Sequence, residues 1–157
     1  MDEVCIVACS KKKIWDYNPG AGKVPAREAY RGTLTRLAMM YAEMFYKDRW
    51  CILSAKYGFL KPDMLIEPYD KTFRNTVLTR EIIERLRRQA EELELTKYSS
   101  VLVLGGKAYV EVCKKVFQGK IIHAPLLGLG YFRAVKLLKE AITRRVRLEE
   151  LTRLSNV

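Results

Sequence analysis

Four short apolar runs set the strongest limit on how this chain folds: VCIVAC at 4–9, WCIL at 50–53, SVLVLG at 100–105 and KIIHAPL at 120–126. Each is apolar at consecutive positions and rich in leucine or β-branched residues. A strand with one wet face alternates apolar and polar residues. An unbroken run indicates burial on both faces, as in a parallel sheet. Between the runs the period changes to that of helices. Over 26–47, Tyr30, Leu34, Leu37, Ala38, Tyr41 and Phe45 share one stripe and predict a single helix. Residues 79–95 carry Ile82, Ile83, Leu86, Ala90 and Leu93 on an inner face, with Thr79 placed to cap. A shorter helix is expected over 107–117, with Val110, Cys113 and Phe117 inward. The last helix starts near Gly130 and bends or breaks before the basic stretch RRVRLEELTRL. The order β-α-β-loop-α-β-α-β-α predicts an α/β fold, a parallel sheet with helices on both faces. One domain is expected over 1–157. Its helical tail, 143–157, is expected either to pack on the domain or on the partner chain of a homo-oligomer, or to remain a solvated amphipathic end.

Hydrophobic residues make up 49% of the chain and charged residues 30%, the profile of a soluble globular protein. No apolar run approaches the roughly 20 residues that span a bilayer, so no membrane partner is expected. The start, MDEVCIVACS, lacks a basic segment, and no signal peptide is read; a cytoplasmic location is expected. Cys5, Cys9, Cys51 and Cys113 form no CxxC and His123 is the single histidine, so buried thiols and no metal site are expected. The net charge of +11, from 29 Lys and Arg against 18 Asp and Glu, points to nucleic acid or a nucleotide as partner. A thermophile-like composition explains abundant charge but not its imbalance.

Parallel sheets place their sites beyond the carboxyl ends of the strands, where this chain carries four unusual loops. The first, SKKKIWDYNPGAGKVPARE, sets Ser10, Lys11, Lys12 and Lys13 beside Trp15, an arrangement suited to phosphate with a base stacked nearby. Its NPGAGKVP segment is not a nucleotide-triphosphate loop: Tyr17 stands where the first glycine belongs and Val24 follows Lys23. No cofactor is expected. The second loop, SAKYGFLKPDMLIEPYDKTF, brings Ser54, Lys56 and Tyr57 off a strand. Phe59, Leu60, Leu65 and Ile66 pin it, and Pro62 and Pro68 stiffen it. Glu67, Asp70 and Tyr57 are therefore candidates for acid–base work, and Tyr69 for stacking. The third, with Gly105, Gly106 and Lys107, and the fourth, with Gly128, Gly130 and Arg133, offer helix N-termini to an anion.

The stretches S-x-x-Y-G-x-L-x-P at 54–62 and I-x-P-Y at 66–69, with A-C-S-K-K-K at 8–13 and G-G-K-A-Y at 105–109, resemble the YaaA-like proteins and a related uncharacterised family of small microbial domains. A similar domain occurs in archaeosine synthase and tRNA-guanine transglycosylase-like proteins. The resemblance implies a three-layer α/β/α fold of the uracil-DNA glycosylase type, with a four-stranded parallel sheet ordered 2-1-3-4. It also implies DNA binding or modified-base chemistry. The glycosylases' water-activating Asp, within G-Q-D-P, has no counterpart here; C-S-K-K stands in its place. Two functions stay open: an enzyme acting on a nucleobase or N-glycosidic bond in DNA or RNA modification or repair, and a non-catalytic nucleic-acid-binding or accessory domain.

Overall fold

The computed structural model describes residues 2–73 and 76–155, with backbone alone over 152–155. Residues 156 and 157 of the expected tail lie outside the described residues.

The first apolar run forms β1 (Glu3–Ala8), buried from Val4 onward. After it come a short helix α1 (Ile14–Tyr17), a two-residue strand β2 (Val24–Pro25) and helices α2 (Ala26–Ala29) and α3 (Thr33–Tyr46). The second run is β3 (Trp50–Ser54), followed by β4 (Gly58–Leu60) and β5 (Leu65–Ile66). Then come α4 (Arg80–Glu92), β6 (Ser100–Leu104), α5 (Lys107–Val116), β7 (Ile121–His123), α6 (Tyr131–Arg144) and α7 (Leu148–Ser155).

The main sheet has five strands in the order β4-β3-β1-β6-β7. Neighbours among β3, β1, β6 and β7 run parallel, and β4 folds back antiparallel on β3. The sheet is therefore mostly parallel and one strand wider than four. Consecutive burial in β1 has the cause the sequence suggested. Cys5 and Val7 face one core with Trp50, Ile52, Leu102 and Leu104, under α3, α6 and α7. Val4 and Ile6 face a second core with Cys51, Leu53, Val101 and Val103, under α4 and α5. All four cysteines are buried and free. Burial pushes the Cys51 thiol up to about 12 and keeps Cys5 and Cys113 high as well. No described helix is long and apolar enough to cross a membrane.

Two local expectations change. The single helix over 26–47 is broken between Ala29 and Thr33. There Tyr30 bridges to Lys13, and Gly32 lies so close to Ser10 that an added Cβ would stand 2.9 Å from the serine's own. The second loop contains β4, which the sequence did not announce. The α4 cap is as read, with Thr79 Oγ1 accepting from Ile82 N at 3.2 Å. Helix α6 ends on Arg145 in the left-handed region, which separates it from α7.

Gly58 opens β4 at φ +76, and a Cβ there would meet Gln89 Oε1 at 2.1 Å. That amide accepts from Phe59 N at 2.6 Å and donates to Tyr57 O at 2.9 Å, holding the outer edge of β4. Gly58→Ala is expected to cost about 2–4 kcal/mol, combining the strain of a positive φ with disturbed buried hydrogen bonds. Urea unfolding checks this; a midpoint equal to wild type would show that the edge rearranges freely.

A candidate anion site at the carboxyl ends of the strands

The carboxyl ends of β1 and β3 deliver two loops that are zipped together. In the small ribbon of β2 and β5, Val24 pairs with Ile66 and Pro25 with Leu65. Ala26 N donates to Met64 O at 2.8 Å and Arg27 N to Pro62 O at 2.9 Å. Arg27 and Asp63 pair at 3.0 Å, and Lys23 and Glu67 at 3.6 Å. Between the loops lies a cavity of about 490 Å³, lined by Lys11, Lys13, Trp15, Asp16, Pro68, Tyr69 and Asp70.

Lys13 is the unusual member. It is only 4% exposed. Its backbone is fixed by reciprocal bonds with Asp16: the carboxylate accepts Lys13 N–H at 2.8 Å, and Lys13 O accepts Asp16 N–H at 3.0 Å. The side chain is thereby turned inward, where Nζ donates to Lys11 O at 3.2 Å and sits 4.6 Å from the centroid of the Tyr69 ring. Among the described residues no carboxylate lies within ion-pairing distance of this ammonium. A buried charge without a counter-charge is costly, and a ring face returns only about 0.5–2 kcal/mol of that cost.

Behind the cavity stands a cluster of hydroxyls. Ser54 Oγ, at the end of β3, accepts Lys56 N–H at 3.2 Å and Tyr57 N–H at 3.1 Å and donates to Tyr69 OH at 2.9 Å. Tyr69 and Tyr30 hydroxyls lie 2.6 Å apart. Burial, with Cys9 and Tyr30 beside it, raises the Tyr69 phenol above its ordinary range, and burial does the same for Tyr30. Cys9 Sγ lies 3.1 Å from Tyr109 OH, and the Tyr109 ring packs edge-on against Phe73 at 5.5 Å, so α5 leans on the same group of residues.

The residues singled out in the sequence separate into groups. Lys11, Trp15, Tyr69 and Asp70 line the cavity. Trp15 is nevertheless 9% exposed, with its indole N–H donated to Gly22 O at 2.7 Å, so it anchors the first loop. Tyr69 is enclosed by Lys13, by Lys56 Nζ at 5.9 Å and by the edge of Tyr57 at 5.4 Å, and is a hydrogen-bonding residue as much as a platform. Tyr57 OH ties the loop to itself, donating to Glu67 O at 3.3 Å and accepting Glu67 N–H at 3.0 Å. Glu67 is exposed, paired with Lys23 and outside the cavity lining. Ser10 is a turn residue, donating to Lys12 O at 2.7 Å and accepting Gly32 N–H at 3.3 Å. Lys12 and Lys56 are exposed.

Gly105 presses on β1, where a Cβ would stand 2.6 Å from that of Ala8. Gly106 and Gly130 begin α5 and α6 on the same rim, with Lys107 and Arg133 exposed in the first turns. Neither they nor Gly128 wall the cavity. Sequence reasoning grouped Lys13 with its exposed neighbours and gave Tyr30 to a helix stripe; no local pattern marks one lysine of three as buried.

A family model described as "Family of unknown function (DUF6884)" matches residues 4–140. The chain is 40% identical over 136 residues to the protein called "Uncharacterized protein YfjM" of Bacillus subtilis (strain 168), covering 83% of this chain and 90% of that one. No solved structure matches. On both the family match and this relative, the chain belongs to the DUF6884 family.

Proposed function

We propose that this protein binds nucleic acid or a nucleotide and receives a phosphate oxyanion at Lys13. The observation that carries the reading is the buried ammonium on the wall of a cavity of about 490 Å³, with no carboxylate among the described residues within ion-pairing distance of it. An anion entering there supplies the missing counter-charge. Lys11 lies on the same wall, and the chain's +11 charge draws polyanions toward it. A cavity of this size suits a small organic ligand or one nucleotide unit. The likeness to YaaA-like proteins and to the uracil-DNA glycosylase type of sheet belongs to this reading, as do supporting roles for Lys12, Lys56, Lys107, Arg133 and the glycine loops along the rim.

A second reading, chemistry on the bound base, is favoured by one observation: Asp70 stands on the same cavity wall as Lys13. A carboxylate there is placed to face positive charge developing on a sugar.

The test is binding of tRNA, single-stranded DNA and duplex DNA over a salt series. With three or more phosphates engaged, a log–log slope of about −2 or steeper is expected. A slope near zero would remove the polyanion reading. Release of free base, lost in Asp70→Asn, would establish the catalytic one.

A further inference from the structure

We infer that the nucleic acid this protein takes is single-stranded, and that its bases stack on three exposed rings, Tyr17, Tyr131 and Phe132. This deepens the proposed function and rests on its reading of a nucleic-acid partner.

The rings offered for stacking by the sequence are not free to stack. Trp15 is buried and tied to Gly22 O. Tyr69 is enclosed by Lys13, Lys56 and the edge of Tyr57. Among the described residues the exposed aromatic rings are instead Tyr17, at 65%, Tyr131, at 53%, and Phe132, at 86%. One exposed apolar side chain is ordinary. Two adjacent rings at the start of a helix, edge-on with centroids 5.6 Å apart, form a patch that marks an interaction surface. The loop before them is open as well: a Cβ at Gly128 or Gly130 would meet nothing within 4 Å.

Topology puts the three rings on one rim. Helix α1 follows the carboxyl end of β1, and α6 follows that of β7. Helix α3 begins on the same rim, where Thr35 Oγ1 donates to Ala8 O at 3.1 Å, and it packs alongside α6. Each ring has cations close by. Tyr17 shares a hollow of about 170 Å³ with Arg31 and Arg36, and Arg31 N donates to Lys12 O at 2.9 Å. In α6, Ala134, Leu138 and Ala141 are buried. The helical period therefore sets Phe132, Lys136 and Lys139 on the opposite, exposed side, with Arg133 beside them.

Rings interleaved with cations along an open surface suit a strand whose bases are unpaired. Each base has a face to stack, and each phosphate meets a positive charge. In a duplex the bases are already stacked on one another, and freeing them costs energy. A second copy of the chain fits this patch less well. Two-fold pairing would set Arg133, Lys136 and Lys139 against their own counterparts.

The experiment uses the full chain and fluorescence anisotropy with three probes of about 12 nucleotides: a thymidine strand, an abasic strand and a duplex. Wild type is expected to bind the thymidine strand about tenfold more tightly than the abasic one, and more tightly than the duplex. Phe132→Ala, which leaves the core untouched, is expected to weaken the thymidine strand about tenfold and to change the other two less than about twofold. Tyr17→Ala should act in the same direction. Equal binding of thymidine and abasic strands, tighter binding of duplex, or an unchanged thymidine affinity in Phe132→Ala would overturn the inference and leave the polyanion reading standing. If no probe binds, the proposed function itself fails. Self-association in sedimentation that Phe132→Ala abolishes, with strand affinity unchanged, would assign the patch to a second copy and also overturn it.

Discussion

Lys13→Met is expected to raise the melting temperature of the unliganded protein while weakening anion binding. Methionine has similar length and no charge, and the site it fills is 96% buried in the native protein, Lys13 itself being 4% exposed. The lysine recovers part of its desolvation cost from the Lys11 carbonyl and the Tyr69 ring, and from no carboxylate among the described residues. Removing the charge is therefore expected to stabilise the fold by about 1–3 kcal/mol, near what is seen when buried ionic groups give way to apolar ones. In a chain of this length each kcal/mol moves the midpoint by about 2–4 °C. The same variant lacks the charge-assisted bond to the ligand, a loss of about 1.5–3 kcal/mol and hence about 10- to 100-fold in affinity. Calorimetric melting in a buffer free of phosphate and sulfate, paired with phosphate titration, reads both. A lowered midpoint would mean that the lysine supports the fold and is not held for a ligand.

Glu3→Gln is expected to destabilise the protein by about 2–4 kcal/mol and to flatten its acid unfolding. The Glu3 carboxylate sits at the amino end of the sheet, on the side opposite the candidate site. It accepts from Tyr46 OH at 2.7 Å, from Ser100 Oγ and from His123 Nδ1 at 2.8 Å. Burial pulls its carboxyl up, but the three donors outweigh burial and leave it below its ordinary value of 4.5. A depressed folded value means that this stabilisation is complete above about pH 4.5 and is lost as pH falls through the folded value. Wild type should therefore lose more stability than the variant between neutral pH and pH 3. Parallel urea curves at those pH values give the comparison, and identical acid slopes would show that other carboxylates dominate. Anion affinity at neutral pH should be unchanged, since none of these groups lines the cavity.

The strands of the sheet centre were legible because a strand buried on both faces has nowhere to put a polar residue. VCIVAC, WCIL and SVLVLG declare themselves for that reason. The last run was over-read: only Ile121–His123 pairs, since an edge strand needs fewer buried positions. β4 was hidden because Gly-Phe-Leu is too short to show a period and is embedded among prolines and charges. The break in the helix over 26–47 was written in Gly32, but its cause, contact with Ser10 far back in sequence, is tertiary. The loops that line the candidate cavity were located by topology alone, because strand ends in a parallel sheet must deliver them to one rim. Which lysine turns inward depends on Asp16 catching the Lys13 backbone, a detail no composition reveals.

The Gln89 amide imitates a peptide group. By meeting Phe59 N and Tyr57 O it occupies the positions another strand's backbone would claim. One margin of the main sheet is thereby sealed by a helix side chain, while at the far margin β7 has no neighbouring strand among the described residues. Open-ended stacking of sheets from molecule to molecule needs two available margins. Association through the edges of the main sheet is therefore confined to the β7 side and stops at a pair.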